Sequence, residues 1–273
     1  MKNNELFGVE IITSKANSAI VKIGKLTDKK YRKQDKMFLC DGIKLFEESV
    51  DFCPDVRYIV VDNDVEFESK IIDKIKQKQH SGTIILCVTK MVFEKLTDEK
   101  SPQGIITVCG ISEKKGLFST SAKKEKIMIL ESVRDPGNVG TIMRNSAAFG
   151  IDRLILSSDC ADIYSSKVVR AAMGAIFKVN CEIVDDLFTK IEDMKKSGYN
   201  ILGAALKKDS LVLGNYKFSN NDAVVIGNEG KGLSNKILDI CDNTLLVPMQ
   251  DNTESLNAAM AATIIMWEMY KGK

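Results

Sequence analysis

The sequence predicts an α/β protein built from two domains. Short apolar runs alternate with amphipathic helical stretches along most of the chain. One Gly-, Ser-, Thr- and Lys-rich stretch, EKKGLFSTSAKKEK (113–126), interrupts the alternation and reads as a linker. At 273 residues the chain is long enough for two separate cores.

The first domain, 1–112, begins with a basic stretch. Between Lys15 and Lys36 stand eight basic residues against Asp28 and Asp35, although the whole chain carries only +2. Lys15, Asn17, Lys29, Lys30, Tyr31, Arg32 and Lys33 are the candidates there for holding a nucleic acid. Lysines and arginines meet phosphates, and an interleaved tyrosine can stack on a base. A solvated helix face followed by a lysine-rich turn explains the same charges. Candidate strands follow at MFLC (37–40), VRYIVV (56–61), TIILCV (83–88) and GIITVC (104–109), with helical segments around 41–50, 65–80 and 89–97.

Beyond the linker, the second domain (127–273) restarts the alternation. KIMIL, RLILS, KVNCEIV, YNILGA, AVVIG and TLLVPM read as strands. Helical patterns fall at about 138–149, 165–176, 185–197, 233–241 and 254–270. The strand runs are nearly continuous in Val, Ile and Leu, as parallel strands covered on both faces require.

Composition narrows the chemistry. The seven cysteines include no C-x-x-C pair, and most lie in apolar runs such as ILCV and ITVCG, where they read as small buried hydrophobes. His80, the single histidine, lies in KQKQHSG and reads as a solvated helix end. Histidine-dependent triads and multi-histidine metal sites are thereby disfavoured, and no metal is expected. No apolar run is long enough to cross a bilayer, and MKNNELFGVEIITSK has no signal-peptide core, so the expected compartment is the cytoplasm.

Three segments place Gly, Asn, Arg and Glu directly after apolar strands, where ligands of open α/β sheets gather. The first, ILESVRDPGNVGTIMRNSAAFG (129–150), has a Pro-Gly-Asn turn and then a helix for which Asn138 is the expected N-cap, with Arg144 on its second turn. The second, VVIGNEGKGLS (224–234), has three glycines in six residues but matches neither the Rossmann fingerprint nor the P-loop. Its Glu229 suits a ligand amino group, or serves to order neighbouring polar groups. In the third (245–269), a strand ends at Pro248, Thr253 or Ser255 can cap a helix, and Ser255-Leu256-Asn257 lies close to the strand end.

In this order, DPGNVGTIMRNSAAFG, VVIGNEGKGLS and VPM followed by ESLN resemble the three motifs of the SpoU/TrmH family of RNA ribose 2'-O-methyltransferases. The resemblance covers about residues 123–273, and KYRKQDKMFLCDGIKLFEE (30–48) is similar to the substrate-binding domain often fused to these enzymes. It implies an α/β-knot (SPOUT) domain with a deep trefoil knot, preceded by a smaller α/β RNA-binding domain. It further implies S-adenosylmethionine bound at Gly227, Val247, Met249 and Leu256, and a reaction centre of Asn138, Arg144, Glu229, Ser255 and Asn257. A homodimer is implied as well, with part of the last helix (Ile264, Ile265, Trp267, Met269, Tyr270) at a two-fold interface. The chain departs from the family in having QDNT where a glycine often precedes the SLN element, and Ala258 where valine is common. Ribosomal RNA is the expected substrate ahead of tRNA. A fold retained for RNA binding without turnover, and methylation of a base, are the competing readings.

Overall fold

The computed structural model describes residues 2–111, 125–207, 209–250 and 255–271. The chain divides into two compact units, one of Met1–Glu113 with Tyr164–Phe177, the other of Lys114–Ile163 with Lys178–Lys273.

The first unit contains α1 (Asn3–Phe7), β1 (Ile11–Ile12), α2 (Ser18–Gly24), α3 (Lys29–Asp35), β2 (Met37–Asp41), α4 (Ile43–Phe52), β3 (Val56–Asp62), α5 (Ser69–His80), β4 (Ile84–Val88), α6 (Lys90–Phe93) and β5 (Ile105–Gly110). Its strands pair in the order β1-β4-β3-β5-β2. β1, β4 and β3 run parallel, whereas β5 is antiparallel to both β3 and β2. Ile59, Val61, Ile85 and Ile105 face one apolar cluster with Phe46, Ile71 and Ile75, while Val60, Ile106 and Val108 face another with Ile20, Ile23 and Phe93. Period-2 alternation thus covers both faces of the sheet. His80 ends α5 and is exposed, as expected.

In the second unit, β6 (Ile127–Leu130), α7 (Pro136–Phe149) and β7 (Arg153–Ser157) come first. The chain then forms α8 (Ser166–Ala172) within the Tyr164–Phe177 segment and returns as β8 (Asn180–Val184), α9 (Leu187–Lys196), β9 (Asn200–Ala204), β10 (Leu211–Val212), β11 (Asp222–Ile226), α10 (Asn235–Ile240), β12 (Asn243–Leu246) and α11 (Ala258–Lys271). The seven strands of this unit pair in the order β10-β12-β9-β11-β6-β7-β8, every pairing parallel. All residues of β6 and β11 are buried. One sheet face packs Ile127, Ile129, Ile155, Ile201 and Val225 against Leu187, Ile191, Met194 and Ile237 of α9 and α10. Each such side chain contributes about 1.5–3 kcal/mol when fully buried.

Two sequence expectations shift at the domain boundaries. The expected linker lies outside the described residues except for Glu125 and Lys126. The Lys126 amide donates to Asp152 (2.8 Å), its Nζ donates to the Met269 carbonyl, and Glu125 pairs with the buried Arg153 (2.8 Å). These contacts make both residues part of the second unit rather than of a free connection. The segment Tyr164–Phe177, read from the sequence as part of the second domain, belongs to the first unit. The reason is apolar: Tyr164, Val169, Ile176 and Phe177 share a cluster with Phe38, Cys40, Leu45, Cys53 and Cys109. Five of the seven cysteines, Cys40, Cys53, Cys87, Cys109 and Cys160, are buried.

Candidate active site

The carboxyl ends of three neighbouring strands open into one cavity of about 370 Å³ in the second unit. Ala204 ends β9, Ile226 ends β11 and Leu246 ends β12, and all three line it. Its walls are apolar at Leu245, Val247, Met249 and Leu256, while the loop from Gly227 to Gly232 lines the polar side. That volume and lining suit a small ligand held by a few main-chain groups.

Gly227 is required by close approach. A Cβ there would lie 2.3 Å from the Gly232 carbonyl carbon and 2.4 Å from the Leu233 nitrogen. The loop folds back because the main chain of Asn228 pairs with Gly232 in both directions, at 3.1 and 2.9 Å. Ser234 then starts α10, capping the amide of Ile237 and donating its own hydroxyl to Glu131 (2.6 Å).

The first motif differs from its expected capping. Asp135, not Asn138, caps α7, its carboxylate accepting from the Asn138 amide at 2.8 Å. Pro136 at the first helical position makes that earlier start natural, since it has no N–H to leave unpaired. Arg144 accordingly stands on the third turn rather than the second. The earlier start also frees the Asn138 carboxamide. Its Nδ2 donates to Glu229 Oε1 (3.0 Å), and its Oδ1 accepts from Asn257 Nδ2 (2.9 Å). Asn257 in turn accepts from the amides of Ala259 (2.9 Å) and Met260 (3.3 Å), and so caps α11. Ser255 does not have that role, and Thr253 lies outside the described residues.

Glu229, Asn138 and Asn257, one from each motif, therefore form a continuous hydrogen-bonded chain. Glu229 also receives the amides of Asp135 (3.0 Å) and Arg134 (3.3 Å). Of the two roles the sequence left open, this geometry matches the ordering of neighbouring polar groups. Burial pushes its carboxyl upward, but the donors from Asn138, Asp135 and Arg134 outweigh that and hold it below the usual carboxylate range. Nearby, Asp159 accepts from Ser132 Oγ (2.6 Å), Ser157 Oγ (2.6 Å) and Arg134 (3.2 Å). Burial raises the Asp159 carboxyl, and these donors again prevail and lower it.

The expected cofactor residues Gly227, Val247, Met249 and Leu256 converge on the cavity, with Glu229 and Ser255 beside them. Arg144 does not line it; the side chain is exposed on α7. On the expected interface helix, Trp267 and Tyr270 are exposed and stack 6.0 Å apart, whereas Ile265 and Met269 are buried in the core of the unit. Sequence reasoning missed Asn228, Glu131 and Ser132. Asn228 carried one signal, an asparagine between a glycine and a turn, which favours hydrogen bonds to its own loop.

The expected RNA-binding stretch forms α2 and α3. Lys15, Lys29, Lys30 and Lys33 are exposed, and the ammonium groups of Lys25 and Lys30 lie 5.3 and 5.7 Å from the Tyr31 ring centroid. Arg32 faces the other way. It is 5% exposed, and its guanidinium donates to the carbonyls of Leu26 and Thr27, both at 2.7 Å. The side chain of Asn17 accepts from the amides of Ala19 and Ile20, capping α2. Both residues thus have structural partners where RNA contacts were expected.

Comparisons with known proteins agree with this architecture. The profile of the SpoU rRNA methylase family matches residues 125–267, and that of the MRM3-like substrate-binding domain matches 17–107. The chain is 29% identical over 258 residues to the 23S rRNA (guanosine(2553)-2'-O)-methyltransferase RlmP of Bacillus subtilis, covering 94% of this chain and 98% of that one. It is 34% identical over 213 residues to a Staphylococcus haemolyticus protein assigned to the TrmH family tRNA/rRNA methyltransferases, covering 75% and 84%. Among solved structures, the S-adenosylmethionine-bound rRNA methyltransferase of Sinorhizobium meliloti superposes with a TM-score of 0.84 at 24% identity, covering 96% and 97%.

Proposed function

The chain belongs to the SpoU rRNA methylase family and is an S-adenosylmethionine-dependent RNA 2'-O-methyltransferase, and from that premise we propose that it modifies a ribose of ribosomal RNA. The observation that carries the proposal is the Glu229–Asn138–Asn257 chain beside a cavity lined by Gly227, Val247, Met249 and Leu256. Full-length similarity to RlmP supports ribosomal RNA ahead of tRNA.

The cavity residues fit the cofactor. Val247, Met249 and Leu256 offer apolar contact to an adenine ring, and main chain at Gly227 lies where no side chain would fit. When bound, S-adenosylmethionine supplies an electrophilic methyl group on a positively charged sulfur. Asn138 and Asn257 hold the first turn of α7 against the start of α11, and Ser255 and Glu229 give the cavity a polar edge. Arg144 acts electrostatically rather than as a general base. Its part is to fix the RNA phosphate and stabilise the negative charge that develops on the attacking 2'-oxygen. Alignment of the reacting atoms supplies much of the remaining acceleration.

Arg144 acts, in this reading, at the cavity of a second copy. Its exposure on α7, and the exposed aromatic pair Trp267 and Tyr270 on the neighbouring α11, support a homodimer built through these helices. The trefoil knot belongs to the same reading, and β12 lying between β9 and β10 is consistent with it. So does the cytoplasm; among the described residues no helix is long and apolar enough to cross a membrane. The exposed Lys15, Lys29, Lys30 and Lys33, with Tyr31, are the RNA-facing residues of the first unit. Calorimetry with S-adenosylmethionine and methyl transfer to rRNA test the assignment together. Arg144→Ala should keep cofactor affinity within about threefold and lose at least roughly a hundredfold in transfer. Loss of cofactor binding by that variant would make Arg144 a structural residue instead.

A further inference from the structure

Asn228 stands between Gly227 and Glu229, and its carboxamide works in two directions. The Oδ1 accepts from the amides of Gly230 (3.0 Å) and Lys231 (3.1 Å), which closes the glycine loop. The Nδ2 donates to the Ser132 carbonyl (2.8 Å) and to Glu229 Oε2 (3.4 Å). One side chain therefore joins the loop that lines the cavity to the segment that leads into α7, whose first turn carries Asn138.

The Ser132 end of this link is unusual. Ser132 has φ +54, a left-handed conformation that non-glycine residues adopt only when neighbours hold them there. Three groups do so. Asn228 binds its carbonyl, Ser157 Oγ accepts from its amide (2.8 Å), and its own hydroxyl donates to Asp159 (2.6 Å). Ser132 is thus an elbow between the end of β6 and the start of α7. Two and three residues on, Arg134 and Asp135 present their amides to Glu229.

The chemistry of the side chain is specific. The loop amides need an acceptor, and the Ser132 carbonyl and Glu229 carboxylate need a donor, at one carboxamide's spacing. Aspartate supplies the acceptor alone. Serine is too short to reach both.

We propose that Asn228 is a positioning residue for methyl transfer, fixing the glycine loop against the Ser132 elbow so that the groups of the first and third motifs meet the ligand in register. This assignment rests on the methyltransferase reading above.

Asn228→Asp and Asn228→Ala in the full chain test it, with S-adenosylmethionine affinity by calorimetry, transfer to ribosomal RNA from cells lacking this protein, and the thermal midpoint measured side by side. Asn228→Asp keeps the acceptor for the loop amides but turns an anionic oxygen toward two acceptors. The expected result is cofactor affinity within about threefold of wild type with kcat lower by roughly ten- to a hundredfold. The acidic limb of its kcat profile should also move to higher pH, because a second carboxylate beside Glu229 raises that group. Asn228→Ala, which loses the acceptor as well, should lose affinity and rate together. Wild-type turnover in Asn228→Asp would overturn the proposal, as would loss of both affinity and rate in Asn228→Asp in step with a lowered midpoint. Wild-type protein that neither binds cofactor nor transfers methyl would contradict the methyltransferase reading itself, and this assignment with it.

Discussion

Glu229 is the residue on which the first and second motifs meet, and its environment sets a pH dependence. Its donors hold the carboxyl below the ordinary range despite the opposing effect of burial. A carboxylate whose folded pKa is depressed contributes its stabilisation above the unfolded value and loses it as pH falls through the folded one. The stability that Glu229 contributes should therefore stay constant from neutral pH down to about pH 4.3, the ordinary glutamate value, and decline only below it. Thermal melts of wild type and Glu229→Gln across that range check the sign; a Glu229-dependent loss of stability already at pH 6 would mean that the carboxyl is raised, not lowered. Gly227 makes a second residue-scale prediction. A methyl group there meets main chain at 2.3 Å, so Gly227→Ala should reduce cofactor affinity at least roughly tenfold without unfolding the protein. The segments that carry these residues were legible because Gly, Asn, Arg and Glu cluster after apolar strands, and the resemblance to the SpoU/TrmH motifs implied their roles. Their hydrogen-bond partners were not, since Asn138 and Glu229 are 91 positions apart and only the fold brings them to 3.0 Å.

At the scale of elements, helix and strand placement followed from periodicity, and the errors concentrate at caps and at short pieces. Asn138 was a plausible cap by type, but Asp135 and Pro136 together start α7 earlier, and that choice decides which carboxamide is left for the site. The two-residue strands β1 and β10 carry too few residues for an alternation to register. The helical pair α2 and α3 shows how one charge run divides. Lys29, Lys30 and Lys33 are exposed, while Arg32 is buried on two carbonyls. Alanine at the three lysines should weaken RNA binding and make its salt dependence shallower, with stability nearly unchanged. Arg32→Ala should do the reverse, costing about 1–3 kcal/mol of stability for the unpaired carbonyls and lost packing while leaving the salt slope intact. Thermal melts and filter binding over a salt series separate the two effects.

At the scale of the whole molecule, the all-parallel seven-stranded sheet was foreshadowed by strands rich in Val, Ile and Leu, and the site lies where such sheets place ligands. The mixed pairing of the first sheet and the membership of Tyr164–Phe177 in the first unit were not legible, because both depend on contacts between residues far apart in sequence. The position of Arg144 outside the cavity of its own chain likewise has no local signal; the proposed homodimer would place it at the cavity of a second copy. The most direct measurement is the chemical identity of the methylated product. Ribosomal RNA incubated with the protein and methyl-labelled S-adenosylmethionine would be digested to nucleosides and analysed by mass. The expected result is label on the ribose of a single nucleoside, as a 2'-O-methyl group, and none on any base. Label on a base, or no transfer from protein that binds the cofactor, would contradict it.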